Sequence, residues 1–296
     1  MQAIAINHII NLITITETFQ HLNTKEMTTP SSLKPKKNIG IVLSGGGIRG
    51  IAHLGILKAL MNVGIEFSHV SGTSAGSIAG AFYAAGIDPE EGLNIFMKTK
   101  LLRFIRPALG SLGLINIENV RDILKDYFPH DTIEGLAVPL TICATNFSEG
   151  NLVYFTKGPL IRSILASSCI PGIFRPIMID NQMFVDGGIL NNFPVEPLLN
   201  NCDYIIGSSC NHLKPVDKIT KISNLMQRAS IMSINHDMER KAKFCDLLIE
   251  PKGMGEISTF DMKKAETIYW LAHEEALRAM KNCESFQELI NTTPNP

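Results

Sequence analysis

Charge is scarce in this chain of 296 residues. Asp, Glu, Lys and Arg together make up 19%, below the quarter usual for soluble domains. The formal net charge is −1, so the chain offers no field to attract a polyanion, and nucleic acid is excluded as an expected partner. No apolar run approaches the roughly 18 residues that a membrane-spanning helix needs. The six cysteines (Cys143, Cys169, Cys202, Cys210, Cys245, Cys283) form no Cys-x-x-Cys pair and have no histidine at metal-like spacing. A disulfide framework and a zinc site are therefore not expected; reduced thiols in a cytoplasmic protein are. Repeats and low-complexity tracts are also missing. Apolar residues are what the chain has in plenty. At 45% they suffice for a large core, which excludes disorder for most of the length.

The first 20 residues are rich in Ile but broken by Asn7, His8 and Asn11. They lack the basic start and small-residue cleavage site of a secretory signal. Residues 21–37 are polar, rich in Pro, Ser and Thr, and end in a basic cluster, which reads as a linker. The expected division is a poorly ordered tail and linker over 1–36, one domain over 37–285 and a C-terminal tail over 286–296. Met27, just before the linker, is an alternative translation start that would leave 1–26 outside the native protein.

From residue 38 the pattern alternates between strand and helix. Strands are predicted at 39–43, 67–71, 138–146, 151–155, 203–209 and 246–250, and helices at 48–61, 75–85, 117–127, 159–168, 219–243 and 261–281. Alternation of this kind predicts an α/β sheet covered on both faces. Residues 98–116 mix Leu, Phe and Ile with Lys98, Lys100, Arg103 and Arg106. They read either as a lid resting on lipid or as a helix and connector packed on the body.

Two glycine turns carry the chemistry. The first, Gly45-Gly46-Gly47-Ile48-Arg49-Gly50, satisfies G-x-G-x-x-G between a strand and a helix, the setting of a dinucleotide-binding fingerprint. That fingerprint also needs an acid about 20 residues on, at the end of the second strand. Here that strand ends in Val70-Ser71-Gly72, and the nearest acid, Glu66, is at its other end. The dinucleotide reading fails there. In the acid's place stands Gly72-Thr73-Ser74-Ala75-Gly76, a G-x-S-x-G that composition alone would produce only about 0.1 times in such a chain. Between a strand and a helix this motif bends sharply and lifts the serine hydroxyl clear of the backbone, and its flanking glycines, Gly72 and Gly76, leave room for neighbouring segments. A serine nucleophile needs a base and donors for the oxyanion. Side-chain-free Gly45, Gly46 and Gly47 can converge their N–H groups on such a charge.

Residues 183–195 place Asp186 after a short apolar run and before Gly187-Gly188. With this motif the sequence resembles the patatin-like phospholipases, most closely their bacterial members, over roughly residues 38–210. Four motifs occur in the family's order: GGGIRG (45–50), GTSAG (72–76), ASSCIP (166–171) and DGG (186–188). The resemblance implies a three-layer α/β/α patatin-like fold with a mainly parallel sheet, and a serine lipid acyl hydrolase that works through an acyl-enzyme. It implies Ser74 as nucleophile, Asp186 as base, an oxyanion hole in the first glycine loop supported by Arg49, and neither metal nor cofactor in the catalytic step. The expected partner is a lipid or other carboxylic ester, with peripheral contact at a membrane.

Chain order alone leaves a Ser–His–Asp triad open, since His212, His236 and His273 follow Asp186. Of these only His212 lies on a loop of the kind catalytic histidines occupy. His53 on the first helix reads as a surface or core histidine. A lipid-binding or scaffolding protein of the same fold is the reading from another class. An aspartate ionises near 3.9 when free, so a working Asp186 is expected in an apolar surround, aimed by glycine N–H groups.

Overall fold

The computed structural model describes residues 37–98, 106–107, 115–118, 120–254, 257–258 and 261–292. The expectations for 1–36, and for most of 98–116, lie outside the described residues. Strand β1 (Ile39–Leu43) leads through a 3-10 turn (Gly47–Gly50) into α1 (Ile51–Asn62), and β2 (His69–Thr73) leads into α2 (Ala75–Ala84) and then α3 (Pro89–Lys98). Short β3 (Arg106–Pro107) and β4 (Ile115–Asn116) pair with each other, and α4 (Val120–Lys125) precedes β5 (Leu140–Asn146) and β6 (Asn151–Phe155). Next come α5 (Leu160–Ser167), β7 (Ile177–Ile179), β8 (Gln182–Asp186) and β9 (Tyr204–Ser208). The chain closes with α6 (Ile222–Ile234), α7 (Met238–Ala242), β10 (Leu247–Ile249), α8 (Ala265–Asn282) and α9 (Glu284–Thr292).

The main sheet runs β10-β9-β1-β2-β5-β8-β7, with β6 also on β5. Neighbours from β10 through β5 are parallel, whereas β6, β7 and β8 join antiparallel. Side chains alternate across the sheet with a period of two. Ile39, Ile41, Leu43, Tyr204 and Ile206 therefore enter one buried cluster with α1, α2 and α8. Val42 and Ile205 enter a second cluster with Phe193, Val195 and Leu198 on the opposite face. Both faces are buried, as the three-layer fold with a mainly parallel sheet requires.

Three local expectations change. The helix read over 219–243 breaks after Ile234 into α6 and α7, and the amide of Asn235 at the break donates to the carbonyl of Asn211 at 3.1 Å. Helix α3 was not foreseen, although Asp88 caps it by accepting the Glu90 N–H at 2.8 Å and Pro89 starts it. The tail expected over 286–296 is α9 as far as Thr292, with Phe286 and Leu289 buried in the main cluster.

The register of β5 decides where the site forms. Strand β2 pairs with Leu140 to Cys143 and β6 with Ile142 to Asn146, while β8 pairs with Ala144 to Asn146. A strand has two edges. The shared positions put β6 on one edge and leave β2 and β8 end to end on the other. Thr73 pairs with Cys143 and Asp186 with Ala144, so consecutive residues of β5 bring the end of β2 against the end of β8.

Candidate active site

Strands β1 and β2 are parallel neighbours in register, Leu43 opposite Gly72, so the two glycine turns emerge at the same edge of the sheet. They interlock because neither carries a side chain at its closest points. A Cβ on Gly76 would lie 2.3 Å from the carbonyl oxygen of Leu43, and one on Gly45 would lie 3.2 Å from the Ser74 Cβ and 2.4 Å from Asn192 Oδ1. Ser74 sits in the elbow at φ 52°, ψ −122°, a conformation that costs an L-residue on the order of 1–3 kcal/mol unless its surroundings hold it. They do hold it. The N–H of Ser74 donates to Ser167 Oγ at 2.8 Å, and Ser167 Oγ donates in turn to the carbonyl of Cys143 at 2.6 Å. Helix α2 starts at the next residue and turns its N-terminal partial positive charge toward the site.

Asp186 is buried, its carboxylate accepts from the N–H of Gly188 at 2.8 Å, and the nearby Ser74 side chain favours its charged form. Its backbone is pinned as well. The N–H donates to the carbonyl of Cys169 at 2.8 Å, and the carbonyl accepts from Thr145 Oγ1 at 3.0 Å. Burial pushes its pKa up to about 6, against the pull of Ser74 and of the Gly188 N–H. The ASSCIP stretch thus touches both residues, Ser167 fixing Ser74 and Cys169 fixing Asp186. Sequence reading matched this motif without a role for Ser167 or Cys169. Gly187 fits against the carbonyl of Cys143, which a Cβ would approach to 2.3 Å.

The glycine loop differs from expectation at one residue. The N–H of Gly45 is taken by the carbonyl of Asn192 at 3.1 Å, so Gly45 is not an oxyanion donor; its place in the loop comes from its close approach to Ser74. Gly46 and Gly47 are oriented from behind. Asn211 Nδ2 donates to the carbonyl of Gly45 at 2.6 Å, and Arg49 Nε donates to that of Gly46 at 3.1 Å. In a trans peptide the N–H points opposite to the C=O. The N–H groups of Gly46 and Gly47 therefore face away from Asn211 and Arg49, and among the described residues neither has a recorded acceptor. Arg49 is buried, and that burial pulls its pKa down. Asn192 and Asn211 hold the glycine loop in place, and sequence reading assigned neither a part in the site.

Among the described residues no histidine bonds the carboxylate of Asp186. Nδ1 of His212 pairs with Glu250 Oε2 at 3.2 Å. His236 bonds the carbonyl of Ser233, and His273 packs edge-on against Trp270 within α8. His53 is a core residue: Nε2 lies 2.7 Å from the Ser44 carbonyl and Nδ1 2.7 Å from Ser208 Oγ. A carbonyl only accepts, so Nε2 carries the hydrogen. Burial lowers the pKa of His53 to about 4, and the neutral ring ties the ends of β1 and β9 together beneath the glycine loop.

A strained serine on a strand-to-helix elbow, next to a buried carboxylate and two oriented backbone N–H groups, has the parts that serine hydrolase chemistry needs. The chain belongs to the patatin-like phospholipase family, which it matches over residues 41–199, more than half of its length. It is similar to an uncharacterized NTE family protein of Mycobacterium bovis, 32% identical over 192 residues that make up 62% of this chain and 53% of that protein. It is also similar to the lysophospholipase NTE1 of Coccidioides immitis, 34% identical over 166 residues, 54% of this chain and 10% of the relative. The chain thus spans about half the length of the first relative and a small part of the second. In fold it resembles VipD from Legionella pneumophila, with a TM-score of 0.50 at 14% identity, covering 90% of this chain and 73% of that one.

Proposed function

We propose that this protein is a serine hydrolase of lipid carboxylic esters that works through a Ser74–Asp186 dyad. The observation that carries the reading is the meeting of the strained Ser74 elbow with the buried Asp186, where Thr73 and Asp186 pair with consecutive residues of β5. As Ser74 Oγ attacks the ester carbonyl carbon, its proton passes to Asp186, and the N–H groups of Gly46 and Gly47 receive the negative oxygen. The carbonyl re-forms, the C–O bond to the alcohol breaks, and Asp186 protonates the leaving alkoxide. Water then gives a proton to Asp186 and attacks the acyl-Ser74 carbonyl. The acid leaves, and the proton returns to Ser74 Oγ. A carboxyl raised to about 6 is a better base than a free aspartate and is still ionised at neutral pH.

The acyl group's source is a lipid, a reading supported by membership of the patatin-like phospholipase family and by the relative named as a lysophospholipase. The test is turnover of a short-chain ester together with labelling by a fluorophosphonate. Ser74→Ala should abolish both, Asp186→Asn should abolish turnover, and His212→Ala should leave most of it. Loss on His212→Ala would point to a triad. A folded protein that does not label at Ser74 would point to a binding or scaffolding role.

A further inference from the structure

Helix α6 presents its apolar stripe to solvent. Ile222, Leu225, Met226 and Met232 are exposed at 80%, 52%, 61% and 57%. At about 100° per residue they fall within an arc of roughly 120°, the width of a helix's buried face. The opposite side holds α6 to the body through buried Ile231, half-buried Ile234 and the Asn235 bond to Asn211. A contiguous exposed apolar surface of this kind marks an interaction site.

The C-terminal end of α6 adjoins the turn that follows Asp186. Ser233 and Ile234 at the end of α6 share a small cleft with Gly188, Ile189 and Leu190. Ile189 and Leu190, which follow the Asp186 turn, are themselves exposed at 50% and 46%. The flank is cationic. In a chain of net charge −1, residues 214–228 carry Lys214, Lys218, Lys221 and Arg228 against the single acid Asp217. Apolar side chains bordered by lysines suit the boundary between acyl chains and anionic headgroups. Pairing this face with a second copy would instead bring two sets of cations together.

We infer that the α6 face and the Ile189–Leu190 rim dock on an anionic lipid surface, with the Ser74–Asp186 site at its edge. The purpose of the docking rests on the lipid-ester reading above; the binding can be measured apart from it. The full chain would be sedimented with vesicles of phosphatidylcholine alone and of phosphatidylcholine mixed with phosphatidylserine. Binding should be about tenfold or more tighter on the mixed vesicles. It should fall by about tenfold in the double variant Leu225→Gln, Met226→Gln and again in Lys218→Gln, Lys221→Gln, with turnover of a soluble short-chain ester unchanged in both. Equal binding to the two vesicle types, no binding, or binding indifferent to both double substitutions would overturn the docking face. So would a concentration-dependent dimer that Leu225→Gln, Met226→Gln abolishes. Intact ester turnover without vesicle binding removes this inference alone, whereas vesicle binding lost in both double variants, in a chain that turns over no ester, upholds it and removes the hydrolase reading.

Discussion

Asp186→Asn should destroy turnover and yet make the fold more stable in mildly alkaline solution. Burial raises the Asp186 carboxyl from 3.8 to about 6, even though Ser74 and Gly188 both favour its charged form. A raised folded-state pKa means that the fold prefers the protonated acid. Below about pH 4 the folded and unfolded chains both hold that proton, and ionisation carries no penalty. Between about 4 and 6 only the unfolded chain releases it, so stability falls as pH rises; above about 6 the loss is constant. A shift of about two units at 1.36 kcal/mol each sets it near 3 kcal/mol. Asparagine has the same shape and keeps an oxygen for the Gly188 N–H, which lies 2.8 Å from Oδ1, but it carries no charge to desolvate. Urea unfolding of both proteins, followed by circular dichroism, should show the variant about 3 kcal/mol more stable near pH 8, with the gain vanishing near pH 4 and the m-value unchanged. A variant no more stable than the parent near pH 8, or a gain of equal size near pH 4, would refute the burial argument.

The same carboxyl sets the pH dependence of the reaction. The value of kcat/KM for a soluble ester should climb about tenfold per unit below pH 6 and level off above it, and an inflection near 4 would mean that Asp186 is solvated in the working enzyme. Ser167→Ala removes the acceptor of the Ser74 N–H and the donor to Cys143, so urea unfolding should register a loss of about 1–3 kcal/mol and turnover should fall with it. Unchanged kcat would show that the elbow holds without Ser167. Asn211→Ala frees the carbonyl of Gly45; kcat should drop by about tenfold while KM changes little, and the opposite split would argue that Asn211 serves substrate binding.

The parts of the site written in contiguous residues were legible in the sequence. A strand, a glycine-flanked serine and a helix rich in small residues specify the Ser74 elbow within a dozen positions, and Asp186 stands out because a strand end, an acid and two glycines adjoin. The dinucleotide reading could be rejected for the same reason, since the missing acid would have been local too. What stayed hidden is held across the fold. Asn211 reaches Gly45 across 166 residues, and no spacing rule links them. Gly45 looked like an oxyanion donor because glycines permit convergence, but the Asn192 carbonyl that takes its N–H reaches it only through the packing of the Asp186 turn. Two misses are of another kind. The Asp88-Pro89-Glu90-Glu91 start of α3 carried an ordinary capping signal, and Phe286 and Leu289 had the spacing of a buried helical face.

On the proposed reading, the register of β5 is also what lets a carboxylate act on Ser74 directly. Had β8 lain beyond β6, or run parallel to β2, Asp186 would leave the sheet some distance from the elbow, and a bridging imidazole would be needed to span the gap. Instead β8 arrives antiparallel on the edge of β5 that β2 has just vacated, so Thr73 and Asp186 stand opposite Cys143 and Ala144. The short side chain of an aspartate then lies close enough to Ser74 for the serine to favour its charged form. The ASSCIP stretch then has a definite task. Two chain segments meeting end to end share no ladder hydrogen bonds at the junction, and only their common pairing with β5 aligns them, so a second tie there holds them together. Ser167 and Cys169 supply that tie, one to the N–H of Ser74 and the other to the N–H of Asp186, which is why the motif adjoins both residues.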